Sequence, residues 1–261
     1  MNTIKLKQLA AVAALAALPC AASAAISIGN AGQNQDVDAA GATNTISNFV
    51  VVEGSHRKLV LTINAETEAL LTGITFGAQP FTKAVDTRTS RLSQIWYLDD
   101  ATIGTSDIVA TFSANARSLM GVVSLTGVTA GGPSAFAKDT LFRDDDDATK
   151  ASIDLTTTEA NTFVIGGYTQ QNGGSNPINP SAMTELYRND SGSSNSVAGY
   201  QIQTISGLST YTWEAPSSFD LTTNNGVAIA SFTAVPVPEP GSYALLAGVA
   251  GLCFAMLRRR R

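Results

Sequence analysis

Cysteine is nearly absent from this chain of 261 residues: Cys20 and Cys253 lie close to the two ends, and none lies between them. A domain built from the intervening residues therefore has no disulfide, no thiolate nucleophile and no cysteine-based zinc site. Its stability has to come from an apolar core, which a segment of about 216 residues is long enough to bury.

Histidine is equally scarce, because His56 is the only one in the sequence. A serine–histidine–aspartate triad would have to use it, but no Gly-x-Ser-x-Gly elbow is present to supply the nucleophile. A histidine-based zinc site needs a second histidine. We therefore expect His56 to occupy a solvated loop position within residues 53–57 and not to act as a catalytic base.

Helical periodicity is also missing between residues 25 and 240, where short β-prone runs alternate with turns rich in Gly, Asn, Asp and Pro. Leu59, Leu61 and Ile63 share one face of such a run, and Val60 shares the other face with Thr62. About a dozen runs without crossover helices predict an all-β fold, a single antiparallel β-sandwich with jelly-roll-like connectivity. The predicted strands are 46–53, 57–64, 71–76, 80–84, 92–98, 107–113, 119–128, 151–157, 161–169, 183–187, 197–204, 209–213 and 226–233, with 25–44 as a loose lead-in or edge strand and 129–150 as the least ordered section.

Residues 1–24 have the features of a secretory signal peptide. Lys5 and Lys7 form its positive region, an apolar run covers residues 9–18, and small residues at 22–24 predict cleavage before Ala25 by signal peptidase. This segment is expected to be helical. Cys20 follows a proline where a lipoprotein signal requires a small residue, so lipidation is not expected.

Residues 236–261 form a tail of three parts in a fixed order. A triplet, Pro238, Glu239 and Pro240, comes first, and its prolines keep the backbone extended and open to a processing enzyme. An uncharged apolar run follows, and residues 241–257 predict a transmembrane helix of roughly 25 Å. The chain closes with an arginine cluster that should stay cytoplasmic: Arg258, Arg259, Arg260 and Arg261.

This tail resembles the PEP-CTERM sorting signal of Gram-negative bacteria. In that family the membrane protease exosortase recognises the Pro-Glu-Pro triplet, and the tail is a temporary tether to the inner membrane. The resemblance implies that Pro238, Glu239 and Pro240 are a recognition site for exosortase, with exopolysaccharide as a further partner because the family's hosts usually make it. An ordinary C-terminal anchor that is never cleaved is the alternative.

Residues 59–128 resemble a second family, a β-sandwich module of secreted bacterial proteins. The resemblance rests on the segments 74–83, 95–98 and 104–112 and on the turn at 122–127, with Ala78 where a glycine is common. It implies an extracellular β-sandwich without assigned catalysis, and it transfers no functional residue.

The densest acidic run offers the weak metal candidates of this chain, because carboxylate oxygens suit Ca²⁺. The run lacks the alternating spacing of a calcium loop, so a solvated acidic loop is the alternative, and no other cofactor is expected. The four candidates are Asp144, Asp145, Asp146 and Asp147.

Paired carboxylates suggest glycoside hydrolysis as a competing activity. Asp99 and Asp100 are neighbours on a predicted strand and so point to opposite faces, while Glu66 and Glu68 lie in a predicted turn. Neither pair is expected to converge on a substrate.

Aromatic residues suggest a sugar-binding face, although large rings also fill the cores of sandwiches. The candidates are Trp96, Tyr97, Tyr211 and Trp213. Because Trp96 and Tyr97 are adjacent on a strand, one ring is expected in the core and the other on the surface.

The exported part is expected to be more acidic than the whole chain, whose formal net charge is −5. Removing Lys5, Lys7 and the four terminal arginines leaves ten basic residues against 21 acidic residues, a net charge of −11. A domain this acidic repels nucleic acid and anionic membrane surfaces.

Together these features predict a signal peptide at 1–24, an extracytoplasmic β domain at 25–235 and a sorting tail at 236–261. The predicted product is a non-enzymatic protein that is first tethered to the inner membrane and then displayed on the cell surface or released. Its expected role is structural or adhesive, in exopolysaccharide or biofilm. The alternatives are a lectin-like carbohydrate-binding module and, less favoured, a secreted hydrolase.

Overall fold

The computed structural model describes residues 22–23, 25–65, 71–87, 92–139, 149–171, 178–190, 194–215, 225–237 and 248. Strands dominate these residues, and the strands pair with one another in antiparallel fashion, as the sequence predicted. The strands are β1 (Ala22–Ser23), β2 (Ser27–Val51), β3 (Lys58–Ala65), β4 (Leu71–Phe76), β5 (Gln79–Pro80), β6 (Thr82–Asp86), β7 (Leu92–Asp99), β8 (Gly104–Thr126), β9 (Ala135–Asp139), β10 (Lys150–Thr157), β11 (Thr162–Gln171), β12 (Asn179–Pro180), β13 (Thr184–Asn189), β14 (Ser194–Gln203), β15 (Gly207–Glu214), β16 (Asn225–Phe232) and β17 (Pro236–Val237).

The chain divides into two compact units. One consists of Ala25–Val235, and the other of Met1–Ala24 together with Pro236–Arg261. In the second unit, β1 pairs with β17, so Ala22 lies opposite Val237. Cleavage before Ala25, as the sequence predicts, would remove β1, and this pairing would then belong to the precursor.

Helices of membrane-spanning length and hydropathy do not occur among the residues that the structure describes. The predicted signal-peptide helix at 1–24 and the predicted transmembrane helix at 241–257 fall outside the described residues, apart from β1 and Gly248.

The largest sheet of the Ala25–Val235 unit has seven strands, in the order β5-β4-β8-β3-β7-β6 with β2 on β8. The long strand β2 bends back on itself: Asn30 Nδ2 donates to the Val50 carbonyl at 2.8 Å, although twenty residues separate the two. The Phe49 ring also lies against Gly32, where an added Cβ would be 3.0 Å from Cδ2. The two halves of β2 therefore face each other, and the sheet folds over its own apolar side chains.

Strand β3 is buried on both faces along its whole length. Leu59, Leu61 and Ile63 enter a first core inside the folded sheet, and Val60 enters a second core on the other side. The alternation predicted from the sequence is thereby confirmed. Burial of both faces is the reason that apolar residues occur on both faces of β3.

A five-stranded sheet, in the order β13-β14-β11-β16-β9, supplies the other side of the second core. Phe163 and Ile165 of β11 contribute to this core together with Phe232 of β16. The alternate residues of the same strands, among them Val164 and Ile229, enter a third core. Both central strands of this sheet are therefore buried on two faces, as β3 is.

A three-stranded sheet, in the order β10-β15-β12, covers the third core. Trp213 of β15 is fully buried there, and its ring stacks on that of Tyr168 with centroids 6.1 Å apart. The described residues thus build three successive cores between antiparallel sheets, where a simple two-sheet sandwich has one.

Several strand boundaries differ from the sequence prediction. Residues 25–44 were expected to form a loose lead-in or an edge strand, separate from a strand at 46–53, and residues 27–51 form one continuous edge strand that pairs only with β8 among the described strands. Such an edge strand is held by backbone hydrogen bonds, so it tolerates polar side chains that give no apolar alternation. Strand β9 likewise lies inside the section expected to be least ordered, as an edge partner of β16.

Gly121 of β8 allows the seven-stranded and five-stranded sheets to approach closely. A Cβ at this position would lie 2.7 Å from Leu186 Cγ and 2.7 Å from Tyr187 Cδ1, both on β13. We predict that Gly121→Ala lowers the free energy of unfolding by about 1–3 kcal/mol, because overpacking forces the facing side chains to move. The midpoint of urea unfolding measures this change.

Gly73→Ala is the matched control, because nothing lies within 4 Å of a Cβ at Gly73. This variant should stay within about 0.5 kcal/mol of the unmodified protein. Equal midpoints for the two variants would contradict the close approach of the sheets at Gly121.

Candidate functional site

The most unusual group of the domain is a buried lysine at the start of β3. Lys58 is 1% exposed, and it is the one charged residue among the buried residues that the structure describes. The face of β3 that carries Lys58 also carries Val60, Thr62 and Asn64, and it points toward the five-stranded sheet. The strand thus places a cation at the edge of the second core.

Asp99, the last residue of β7, is the partner of this lysine. The two residues are directly opposite each other in the antiparallel ladder between β3 and β7. Lys58 Nζ donates to Asp99 Oδ1, and it also donates to the Gly131 carbonyl at 2.6 Å. The Gly131 N–H in turn donates to Asp99 Oδ2 at 2.7 Å, which fixes both oxygens of the carboxylate.

Gly131 can make both contacts because of its backbone conformation. Its φ is +99°, a region that favours glycine over residues with a side chain. A loop bent in this way presents its N–H and its C=O to the same ion pair.

Aromatic rings enclose the ammonium group. Nζ lies 4.7 Å from the centroid of the Tyr97 ring and 5.4 Å from that of Phe232. Burial lowers the pKa of Lys58 below its ordinary value, and the hydrogen bond and charge of Asp99 oppose this shift. The arrangement therefore holds an amine and a carboxyl group in contact where solvent does not reach the amine.

A second polar cluster lies further along the same face of β3. Gly167 of β11 approaches it closely, since a Cβ there would be 2.6 Å from Thr62 Oγ1 and 3.2 Å from Asn64 Oδ1. Asn64 Nδ2 donates to the Tyr168 carbonyl at 2.9 Å, and Ser93 Oγ donates to the Gly167 carbonyl at 3.1 Å. These bonds join the two large sheets through the polar part of the second core.

Three oxygens of this region lack a hydrogen-bond partner within the described part of the chain: Thr62 Oγ1, Asn64 Oδ1 and the Tyr187 hydroxyl. Burial raises the pKa of the Tyr187 hydroxyl above its ordinary value of 10.0. Burial is the larger cause of this shift, and the neighbouring Thr62 side chain opposes it.

The aromatic residues proposed for a sugar-binding face are mostly buried. Trp96, Tyr211 and Trp213 are 7%, 2% and 0% exposed, so their rings fill cores. Tyr97 is half-buried against the second core, where its ring packs 6.1 Å from that of Phe232. These four rings do not form an exposed platform.

The carboxylate pair Asp99 and Asp100 does not converge. Asp99 is engaged with Lys58, and Asp100 lies in the following turn at φ 50° with its N–H bonded to the Arg57 carbonyl. His56 is exposed at φ 52° in the turn before β3, as a loop position requires. Glu66 and Glu68 lie outside the described residues.

The candidate calcium ligands Asp144 to Asp147 also lie outside the described residues, as do the triplet Pro238-Glu239-Pro240 and the cluster Arg258 to Arg261. Within the ranges that are described, no group of three or more His, Cys, Asp or Glu side chains is placed to hold a metal ion.

Sequence reasoning did not single out Lys58. The sequence offered one indication. Val60 and Thr62 follow Lys58 by two and four residues, so the three side chains share one face of the strand, and that face points toward the core. That signal is ambiguous at the end of a strand, because a terminal lysine usually extends into solvent. The loop that carries Gly131 and the ring of Phe232 come from distant parts of the sequence.

Comparison with known proteins identifies the tail. Residues 236–261 match the family model described as the PEP-CTERM protein-sorting motif, which confirms the resemblance noted in the sequence. The match covers the last part of the chain alone. No curated protein sequence matches the chain.

Solved structures show weak overall likeness. A structure of Sulfolobus Turreted Icosahedral Virus is 11% identical, with 90% of this chain and 98% of that chain covered at a TM-score of 0.23. The major capsid protein P2 from Bacteriophage PM2 is 6% identical, with 80% and 98% covered at 0.23. The ANXUR2 extracellular domain from Arabidopsis thaliana is 10% identical, with 82% and 93% covered at 0.21.

The buried Tyr187 hydroxyl should make the stability of the domain fall in alkaline solution. Above pH 10 the tyrosine ionises in the unfolded chain but keeps its proton in the folded chain, so the folded state binds more protons and loses stability as the pH rises. The unmodified protein should lose about 1.4 kcal/mol per pH unit more than Tyr187→Phe does in this range. Urea unfolding at a series of pH values measures the difference.

At neutral pH, Tyr187→Phe should unfold at the same urea concentration or a higher one, because it removes a buried hydroxyl that lacks a partner. Parallel stability curves for the two proteins above pH 10 would contradict the burial of this hydroxyl.

Proposed function

From the PEP-CTERM sorting motif at residues 236–261, which marks the chain as an exported protein processed by exosortase, we propose that its β domain is a structural or adhesive component of the cell surface or the surrounding polysaccharide matrix. The motif is the observation that carries the proposal, since it would direct the domain to the cell envelope. In this scheme signal peptidase removes residues 1–24, the tail tethers the precursor to the inner membrane, and exosortase acts at Pro238-Glu239-Pro240.

The properties of the domain support a structural role outside the cell. Its three cores bury apolar residues without any disulfide, so its stability does not depend on the redox state of the compartment. Its net charge of −11 after processing favours solubility in a hydrated matrix. We propose a non-enzymatic role. In this proposal Asp99 is the partner of Lys58, and His56 is a residue of the turn before β3.

We also propose that the layered antiparallel sheets form a β-sandwich of the secreted type. The packing of the seven-stranded sheet against the five-stranded sheet across the second core supports this fold. Jelly-roll connectivity stays a prediction.

Processing at the triplet can be tested on the exported protein. Mass spectrometry should find a mature form that begins at Ala25 and ends at or near the triplet. Replacing Pro238, Glu239 and Pro240 with alanine should abolish this C-terminus and leave full-length tail on the membrane-associated protein. Pro133→Ala, in the β domain, is the control and should be processed normally. A mature species that still ends in Arg261 would contradict sorting by cleavage.

The matrix role has a separate test. In a host that makes exopolysaccharide, most of the processed protein should sediment with the cell-bound polysaccharide, and a strain without the protein should form flocs or biofilm that disperse more readily under shear. Wild-type protein should restore cohesion, and the triple-alanine variant should not. Processed protein that stays free in the medium, with cohesion unchanged by its loss, would contradict this role.

A further inference from the structure

Lys58 and Asp99 place an amine next to a carboxyl group, the two groups that condense to form an amide bond. The amine nitrogen contacts Oδ1 of the carboxylate, and the paired register of β3 and β7 holds the two residues opposite each other without any movement of the backbone. We propose that Lys58 and Asp99 condense into an intramolecular isopeptide bond between Nζ and Cγ. This proposal concerns the covalent state of the domain and is independent of its role in the matrix.

The orientation of the carboxyl group favours the reaction. Asp99 Oδ2 accepts the Gly131 N–H at 2.7 Å, so Oδ1 is left toward Nζ and the carboxyl group is held on both sides. Fixing two reactants in contact replaces an encounter in solution with a local step, and such positioning contributes strongly to reaction rates.

Burial favours the neutral amine that reacts. The Lys58 side chain is 0% exposed, so solvent does not reach its amine. Desolvation disfavours the charged form of a buried amine, and the proposed reaction begins with transfer of a proton from Nζ to Asp99 Oδ1. The lowered pKa of Lys58 has the same cause. The amine is the nucleophile, and the carboxylic acid is the electrophile.

The bond changes balance without any added reagent. The lone pair of Nζ attacks Cγ, and the electrons of the Cγ–Oδ2 double bond move to Oδ2, where the Gly131 N–H stabilises the charge. A proton passes from Nζ to the Oδ1 hydroxyl, the Cγ–Oδ1 bond breaks, and one water molecule leaves as the Cγ–Oδ2 double bond re-forms. The amide N–H that remains can donate to the Gly131 carbonyl, which Nζ already contacts.

The site also has an exit for the water. The Asp99 side chain is 29% exposed while the lysine side chain is fully buried. Water released from the pair can therefore leave past the Asp99 side chain.

Such a bond would link the start of β3 to the end of β7, residues that are 41 positions apart in the chain. A cross-link of this length restricts the unfolded chain much as a disulfide does. The β domain has no cysteine to form a disulfide, so the isopeptide would be a covalent brace that reduction cannot break.

The test is a tryptic digest, under denaturing conditions, of the full chain after export. In most molecules we expect a branched peptide that joins residues 58–83 to residues 92–117, with a mass lower by one water molecule than the sum of the two. Trypsin cleaves after free lysine, so the linear peptide 59–83 should be scarce. If most molecules release linear 59–83 and linear 92–117, the proposal is overturned.

A second lysine–aspartate pair in the same chain is the internal control. Lys83 Nζ contacts Asp86 Oδ2 at 2.7 Å, but the two side chains are 30% and 17% exposed and belong to the same strand. Trypsin should cleave after Lys83 in the same digest. An uncleaved segment 59–88 that is lighter by one water molecule, as a bond between Lys83 and Asp86 would produce, would also count against the proposal, because enclosure would then not be what selects Lys58.

Two variants complete the experiment. Lys58→Arg keeps the positive charge but removes the primary amine, and Asp99→Ala removes the carboxyl group, so neither should yield the branched peptide. The digest of the unmodified protein decides the question even if a variant fails to fold.

Discussion

Burial of both faces of the central strands is the constraint on which this structure depends. The domain has no disulfide, and β3, β11 and β16 each divide their side chains between two cores. At roughly 25 cal/mol for each Å² of apolar surface removed from water, such strands contribute more per residue than strands with one solvated face. The three cores are consequently coupled, because a change in one face of a central strand shifts the other.

The second core also contains polar groups, because one face of β3 carries polar side chains into it. Lys58 stands at one end of the β3 face, and Thr62 and Asn64 stand at the other, where two oxygens lack partners among the described residues. A buried charge is tolerated only with close partners, and here a carboxylate, a backbone carbonyl and two rings supply them. These contacts hold the amine of Lys58 against the carboxyl group of Asp99.

Sorting and folding are carried by different parts of the chain. The protein-sorting motif occupies residues 236–261, while the Ala25–Val235 unit contains the three cores. The motif acts as a sequence read by another enzyme, so it needs accessibility and not a fold of its own.

The all-β class, the antiparallel pairing and the sorting motif followed from the sequence itself. Alternation at residues 59–63 is a local property of the strand, and the Pro-Glu-Pro triplet, the apolar run and the arginine cluster are contiguous in the chain. Local patterns of this kind are visible without any knowledge of what packs against them. The sequence did not show that β2 is one continuous strand, because backbone pairing to β8 holds its polar part and leaves no apolar signature.

Only the tertiary structure decided that there are three cores, that Trp213 fills one of them, and that Lys58 is enclosed. The groups around Lys58 come from β3, β7, the loop at Gly131 and the end of β16, and no spacing rule in the sequence connects them. Whether a lysine at a strand end extends into solvent or turns inward depends on the sheet that packs above it. The sequence by itself determined the β-strand class and the sorting motif of this protein. The packing of distant strands determined that Lys58 is enclosed beside Asp99, because burial is a property of the whole fold and not of a local segment.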